Sequence, residues 1–178
     1  MTGLVWAAAL LLGAAGVAKL LHPGPTVRAA ADSGIPGSSW LTRRWLVRLV
    51  GLIEFTVAAA VVLAGGSRPA ALLAAVYALL AAVAWGLMRD GRAADCGCFG
   101  RSTQPVGRAH LMVDGAGVVI GVGAVWWPPS ALLDGWAQDP MATVVLGGAA
   151  IVLSWLAYLS MTALPAVARL RTKVAAAS

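Results

Sequence analysis

At 178 residues, with 60% hydrophobic and only 11% charged side chains and a mean hydropathy of +0.84, the chain cannot be an ordinary soluble domain, which carries roughly 25% charged residues. Disorder, a disulfide-stapled secreted scaffold and a compact αβ enzyme are excluded with it. The net charge of +6 does not indicate nucleic acid, because that reading needs a basic face on a soluble fold and here the charges fall between apolar runs.

Five of these runs, residues 3–21, 45–65, 70–88, 109–127 and 142–164, can each cross a hydrocarbon layer of about 30 Å at 1.5 Å per residue. The expected fold is an all-α integral membrane bundle of five transmembrane helices, one domain over residues 1–178, with 165–178 as a short basic tail. The first run lacks the basic leader of a signal peptide and carries Lys19 at its far end, which suits a retained span. Pro23-Gly24-Pro25 closes it, and Thr26 to Ser33 reads as a short amphipathic helix capped by Thr26, ended by Gly34-Ile35-Pro36-Gly37. The second span contains Glu54. A turn over Gly65 to Pro69 leads to the third span, and the next connection holds both cysteines. The fourth span opens with His110 and Asp114. Small residues recur in the last two spans, as Gly117 with Gly121 and Thr143 with Gly147, at spacings that let helix backbones approach. Pro165 is the expected stop of the fifth span.

Orientation follows from the basic residues. The connections 22–44 and 89–108, the start of the second span and the tail together hold eleven Lys and Arg, whereas the opposite face holds only Arg68, beside Asp134 and Asp139. The positive-inside rule therefore puts the amino terminus outside and the carboxyl terminus in the cytoplasm. Trp6, Trp126, Trp127 and Trp136 read as an outer aromatic belt and Trp40, Trp45 and Trp85 as an inner one, with Trp155 in mid-span.

Few side chains here can do chemistry. Cys96 and Cys98 flank Gly97 in Asp95-Cys96-Gly97-Cys98-Phe99-Gly100-Arg101. A bend at Gly97 would allow a disulfide between them, and its strain would make it labile and exchanging. Arg92 and Arg101 favour a thiolate, whereas Asp95 opposes it. Two other readings stand beside exchange. The thiolates could share a soft ion such as zinc or monovalent copper, completed by His22 and His110, or they could be plain reduced thiols in a glycine-rich loop. Within the spans, ionisable groups call for a functional hypothesis and a named partner. Glu54 lies deep in the second span, with Lys19 as its natural partner. His110 and Asp114, four residues apart, share one face of the fourth span. Lys19, Glu54, His110 and Asp114 are thus expected to converge near the cysteines, as proton or electrostatic partners; a plain helix-pairing ion pair is the alternative for Lys19 and Glu54.

The Val17-Ala18-Lys19-Leu20 end of the first span, Glu54 in the second, and above all Asp95-Cys96-Gly97-Cys98-Phe99-Gly100 ahead of the next span resemble the methylamine-utilisation MauE-like branch of the DoxX superfamily, over about residues 5–125. The resemblance implies a four-helix membrane core, here with one helix added, and an association with thiol redox, often beside thioredoxin-like partners that mature exported proteins. Asp114, where the family leads one to expect an amide, and the fifth span with its basic tail depart from the pattern. Exported partners would put the cysteines outside, whereas the charge count puts them inside, and the charge count is followed here. The expected protein is a multi-pass component of a bacterial plasma membrane, acting by thiol and disulfide exchange at Cys96 and Cys98, with Lys19, Glu54, His110, Asp114, Asp95 and Arg101 in support. The competing expectation is a non-catalytic accessory subunit or assembly factor of a larger membrane complex. No cofactor is required, although a quinone or a soft metal ion is compatible.

Overall fold

The structure is a computed structural model that describes the backbone of residues 1–33, 42–89 and 107–177 and the side chains of 1–31, 42–89 and 107–163. The described residues form seven helices and no strand: α1 (Thr2–Leu21), α2 (Pro23–Ser33), α3 (Arg44–Ala64), α4 (Ser67–Arg89), α5 (Arg108–Trp126), α6 (Leu132–Gln138) and α7 (Pro140–Ala177). Five are long and apolar enough to cross a membrane, namely α1, α3, α4, α5 and the Pro140–Ala163 part of α7. The all-α, five-span expectation therefore holds.

α1 is the most enclosed span, packing chiefly on α3 and α7 and also on α5, while α4 and α5 form a second tight pair. The α1–α3 contact is antiparallel and unusually close. A Cβ on Gly16 would lie 2.6 Å from the Gly51 carbonyl oxygen, and one on Gly51 would lie 2.7 Å from that of Gly16. Lipid tails are as apolar as leucine, so helices in a bilayer associate through such backbone approach rather than through hydrophobic exclusion. The α4–α5 pair uses the same device. A Cβ on Gly117 would meet the Tyr77 ring at 2.5 Å, and one on Gly121 would meet the Ala74 backbone at 2.8 Å. The Tyr77 hydroxyl donates to the Ala8 carbonyl at 2.8 Å, tying this pair to α1. Val5, Ala9, Leu12, Val61, Leu73 and Tyr77 form the core between them.

The turn between α3 and α4 depends on two glycines with positive φ, Gly65 at 60° and Gly66 at 85°. Gly66 N–H donates to the Pro129 carbonyl at 3.1 Å, and a Cβ on Gly65 would lie 2.6 Å from that oxygen. Because the spans α1, α3, α4 and α5 alternate in direction, the end of α1, the start of α3, the end of α4 and the start of α5 share one end of the bundle. Arg28, Arg43, Arg44, Arg48, Arg89 and Arg108 are all exposed there, and we call it the basic end. α6 and the 127–131 loop close the opposite end, where Asp139 caps α7 by accepting Ala142 N–H at 3.0 Å.

Several sequence expectations are corrected. Trp6 is not a belt residue but is 3% exposed, packed with Ala7 and Ala150, because α7 covers that face of α1. Helix α2 begins at Pro23 rather than at Thr26, since proline costs nothing in a first turn whose N–H groups have no partner. Helix α7 does not stop at Pro165 but runs to Ala177. Gly117 and Gly121 do make a close crossing, whereas Gly147 has nothing within 4 Å.

Gly16→Ala is expected to force α1 and α3 apart and cost about 1–3 kcal/mol, the usual range for overpacking. Gly86→Ala, where a Cβ meets nothing within 4 Å, serves as the neutral control. Thermal unfolding of both variants in detergent measures the difference.

Candidate functional site

The site grows out of the α1–α3 crossing. In each helix a charged residue follows the crossing glycine by three positions: Gly16 precedes Lys19, and Gly51 precedes Glu54. A Cβ on Gly51 would come within 3.0 Å of the Lys19 Cβ, and one on Gly16 within 3.2 Å of the Glu54 Cβ, so each charged residue packs over the other helix's glycine. Helical side chains lean toward their own amino terminus. In antiparallel helices this tilts Lys19 into the bundle and Glu54 back toward the basic end, so the two meet. Lys19 Nζ stands 2.8 Å from Glu54 Oε1 and 2.7 Å from Oε2, with both residues under 5% exposed.

Lys19 is two residues from the end of α1, close enough for its stem to snorkel outward. Its ammonium reaches inward instead. Glu54 lies ten residues into α3, about 15 Å along the axis, and an ionised carboxylate at that depth needs a cation. Charge and geometry thus agree on a paired state, and the expected Lys19–Glu54 partnership is present.

Asp114 and His110 approach from α5. Asp114 is half-buried and lies within electrostatic range of both Lys19 and Glu54, and Tyr77 of α4 lies within range of Asp114 and Glu54. His110, one turn earlier on α5, is 4% exposed, and its Nδ1 has no hydrogen-bond partner among the described residues. Lys19, Glu54 and Asp114 are therefore gathered by three helices, with His110 on the same face of α5. Cys96, Cys98, Asp95 and Arg101 lie outside the described residues. The segment that holds them leaves α4 after Arg89 and joins α5 at Gly107, at the basic end. His22 is exposed beyond the end of α1 and does not join the cluster. Among the described residues, no three of His, Cys, Asp and Glu come together as a metal site.

Sequence reasoning missed Tyr77 and the Gly16–Gly51 crossing. The repeated spacing Gly-x-x-Lys and Gly-x-x-Glu was available as a signal for the crossing. Tyr77, the single tyrosine among the alanines and leucines of its span, was available as one for the link to α1. A groove of about 490 Å³ between α1 and α7 is lined by Leu10, Leu11, Ala14, Ile151 and the stacked Trp155 and Tyr158.

Removing one partner of a buried pair strands the other charge, so Lys19→Met or Glu54→Leu alone is expected to cost about 3–5 kcal/mol. The double variant Lys19→Met with Glu54→Leu should recover much of that loss, because no buried charge is left over. Denaturant unfolding of the three variants in detergent gives the double-mutant cycle.

Comparison with known families finds a match. The model of the family described as methylamine utilisation protein MauE aligns with residues 1–128, from the amino terminus to just past α5. No curated protein and no solved structure matches the chain. α6 and α7 fall beyond the matched segment, as the four-span core plus one helix led one to expect. Because the match covers well over half of the chain, and because five of its helices are built to span a bilayer, this is a multi-pass membrane protein of the MauE family.

Proposed function

We propose that the chain is a membrane-embedded thiol/disulfide redox protein in which Cys96 and Cys98 exchange with a partner protein, supporting electron transfer to that partner or its maturation. One observation carries the reading. The chain's two cysteines are one residue apart, in the connection between α4 and α5. The ends of this connection lie at the basic end, to which His110 and the Lys19–Glu54–Asp114 cluster are nearest. In the exchange, one cysteine thiolate attacks a partner disulfide, forming a mixed disulfide and releasing one partner thiolate. The second cysteine thiolate then displaces the other partner sulfur. The pair is oxidised by two electrons, and the partner's disulfide is reduced to two thiols. A dithiol protein of the thioredoxin-like class runs the reverse step and restores the reduced pair. We take the partner to be a component of the methylamine utilisation that the family's description names.

The basic end is assigned to the cytoplasm of a bacterial cell, since six described arginines are exposed there against Arg68 alone at the other. A second reading rests on α7. Its membrane-spanning part is largely exposed and lies beyond the family-matched segment, so it offers a face to another membrane protein. On that reading the chain is an accessory subunit or assembly factor.

Cys96→Ser with Cys98→Ser separates the two readings. Exchange predicts that reduction of the partner's disulfide is lost while the assembled complex is retained, and that a single Cys→Ser variant traps a mixed disulfide on a non-reducing gel. Unchanged partner maturation in the double variant would remove the redox reading in favour of the accessory one. For orientation, a membrane-impermeant maleimide should label the cysteines in lysed cells and not in intact ones.

A further inference from the structure

The ion pair at the α1–α3 crossing leaves a charge imbalance inside the bundle. Lys19 Nζ stands within 2.8 Å of both Glu54 oxygens, so this pair is neutral in sum. Asp114 approaches it from α5, six residues into the helix, about 9 Å from its start. Among the described residues, the groups that act on Asp114 are Lys19 of α1 and Glu54 of α3, and Tyr77 of α4 bears on both carboxylates. Tyr77 brings no cation, and its hydroxyl proton is committed to the Ala8 carbonyl. Arg108 is six positions away on the same helix, about 240° around the axis at 100° per residue, and is exposed. The cluster thus holds one ammonium and two carboxylates in a segment built for lipid, where an uncompensated charge costs at least a few kcal/mol.

The neighbouring polar atom points to how that charge is met. His110 lies one turn nearer the basic end on the same face of α5, and its buried Nδ1 is unsatisfied among the described residues. An imidazole whose ring nitrogen is free can take up a proton and pass it on. It stands between Asp114 and the aqueous end of the helix.

We propose that the Lys19–Glu54–Asp114 cluster is a binding site for one exchangeable proton, carried on the Asp114 carboxyl and reached from the basic end through His110. The proton completes the charge count: one ammonium, one carboxylate and one carboxylic acid sum to zero. The site stands whether or not Cys96 and Cys98 exchange with a partner.

The count makes the proposal testable. Infrared difference spectra of the full chain in phospholipid nanodiscs, in H₂O and D₂O near neutral pH, report protonated carboxyls through the carboxylic-acid carbonyl band. The expected stoichiometry is one such carboxyl per chain in the unaltered protein, none in Asp114→Asn, none in Glu54→Gln (where Lys19 then balances Asp114), and two in Lys19→Met. Asp114→Asn preserves the shape of the acid and keeps the test decisive should Lys19→Met fail to fold. A band that persists unchanged in Asp114→Asn would overturn the proposal. So would its absence from the unaltered protein, the result if a proton on His110 or an arginine from the 90–106 segment balanced the cluster instead. His110→Leu is expected to slow deuterium exchange of the band severalfold, and an unchanged rate would overturn the route. The Cys96→Ser, Cys98→Ser chain should keep the band, which separates this site from the thiol reading; loss of the band there would overturn its independence.

Discussion

A bilayer supplies no water to a stranded charge, and the arrangement of this chain around Lys19 and Glu54 follows from that constraint. Each residue alone would resist insertion, and together they are tolerated only if the helices that carry them come close enough for direct contact. Gly16 and Gly51 provide the approach, each lying opposite the charged residue of the other helix. The antiparallel tilt of the side chains provides the aim. The ion pair and the glycine crossing are therefore one feature. A bulkier residue at either glycine would part the charges as well as the backbones, and without the charges the crossing would lose its preferred register.

The second helix pair is joined to this centre by a shared apolar core and by one polar contact. Tyr77 packs its ring on Gly117, where any side chain would collide with it, and donates its hydroxyl to a carbonyl of α1. The effect is to hold α5, and with it Asp114 and His110, at a set distance from the Lys19–Glu54 pair. Three helices then contribute ionisable groups to one region near the basic end. The connection bearing the cysteines starts and finishes at that end.

Much of this was legible in the sequence. The five spans followed from run length and hydropathy, and Glu54 and Lys19 identified each other because the bilayer leaves an intramembrane carboxylate so few options. What the sequence hid has a common cause. In a chain with 21 glycines and still more alanine, a small residue at a crossing looks like a small residue anywhere. Gly117 with Gly121 marks a real contact, Thr143 with Gly147 does not pack backbone to backbone, and Gly16 with Gly51 can be recognised only once two helices are paired. Trp6 was misassigned for a related reason. An aromatic ring near a span's end reads as a belt residue unless another helix is known to cover it, and α7, more than 130 positions away in sequence, does so. The cysteine motif was the most specific signal in the chain and carried the family resemblance, which the matched segment bears out.

The limits of that matched segment have a physical counterpart. The Lys19–Glu54 pair, the Tyr77 bond to Ala8 and the two glycine crossings all join helices within residues 1–128. α7 packs on this core along α1 and leaves most of its own surface uncovered: Ser154 shares its hydroxyl proton between the Ala7 carbonyl at 2.7 Å and that of Ala150 at 2.8 Å, and Ala150 packs against Trp6. In water, a helix with so little of its surface covered would be held poorly. In lipid its exposed apolar face carries no hydrophobic penalty, so one short interhelical bond and a small packed patch are enough to dock it. An additional span can therefore join such a core without disturbing the charged centre, and its lipid-facing side is free to differ from anything the core requires.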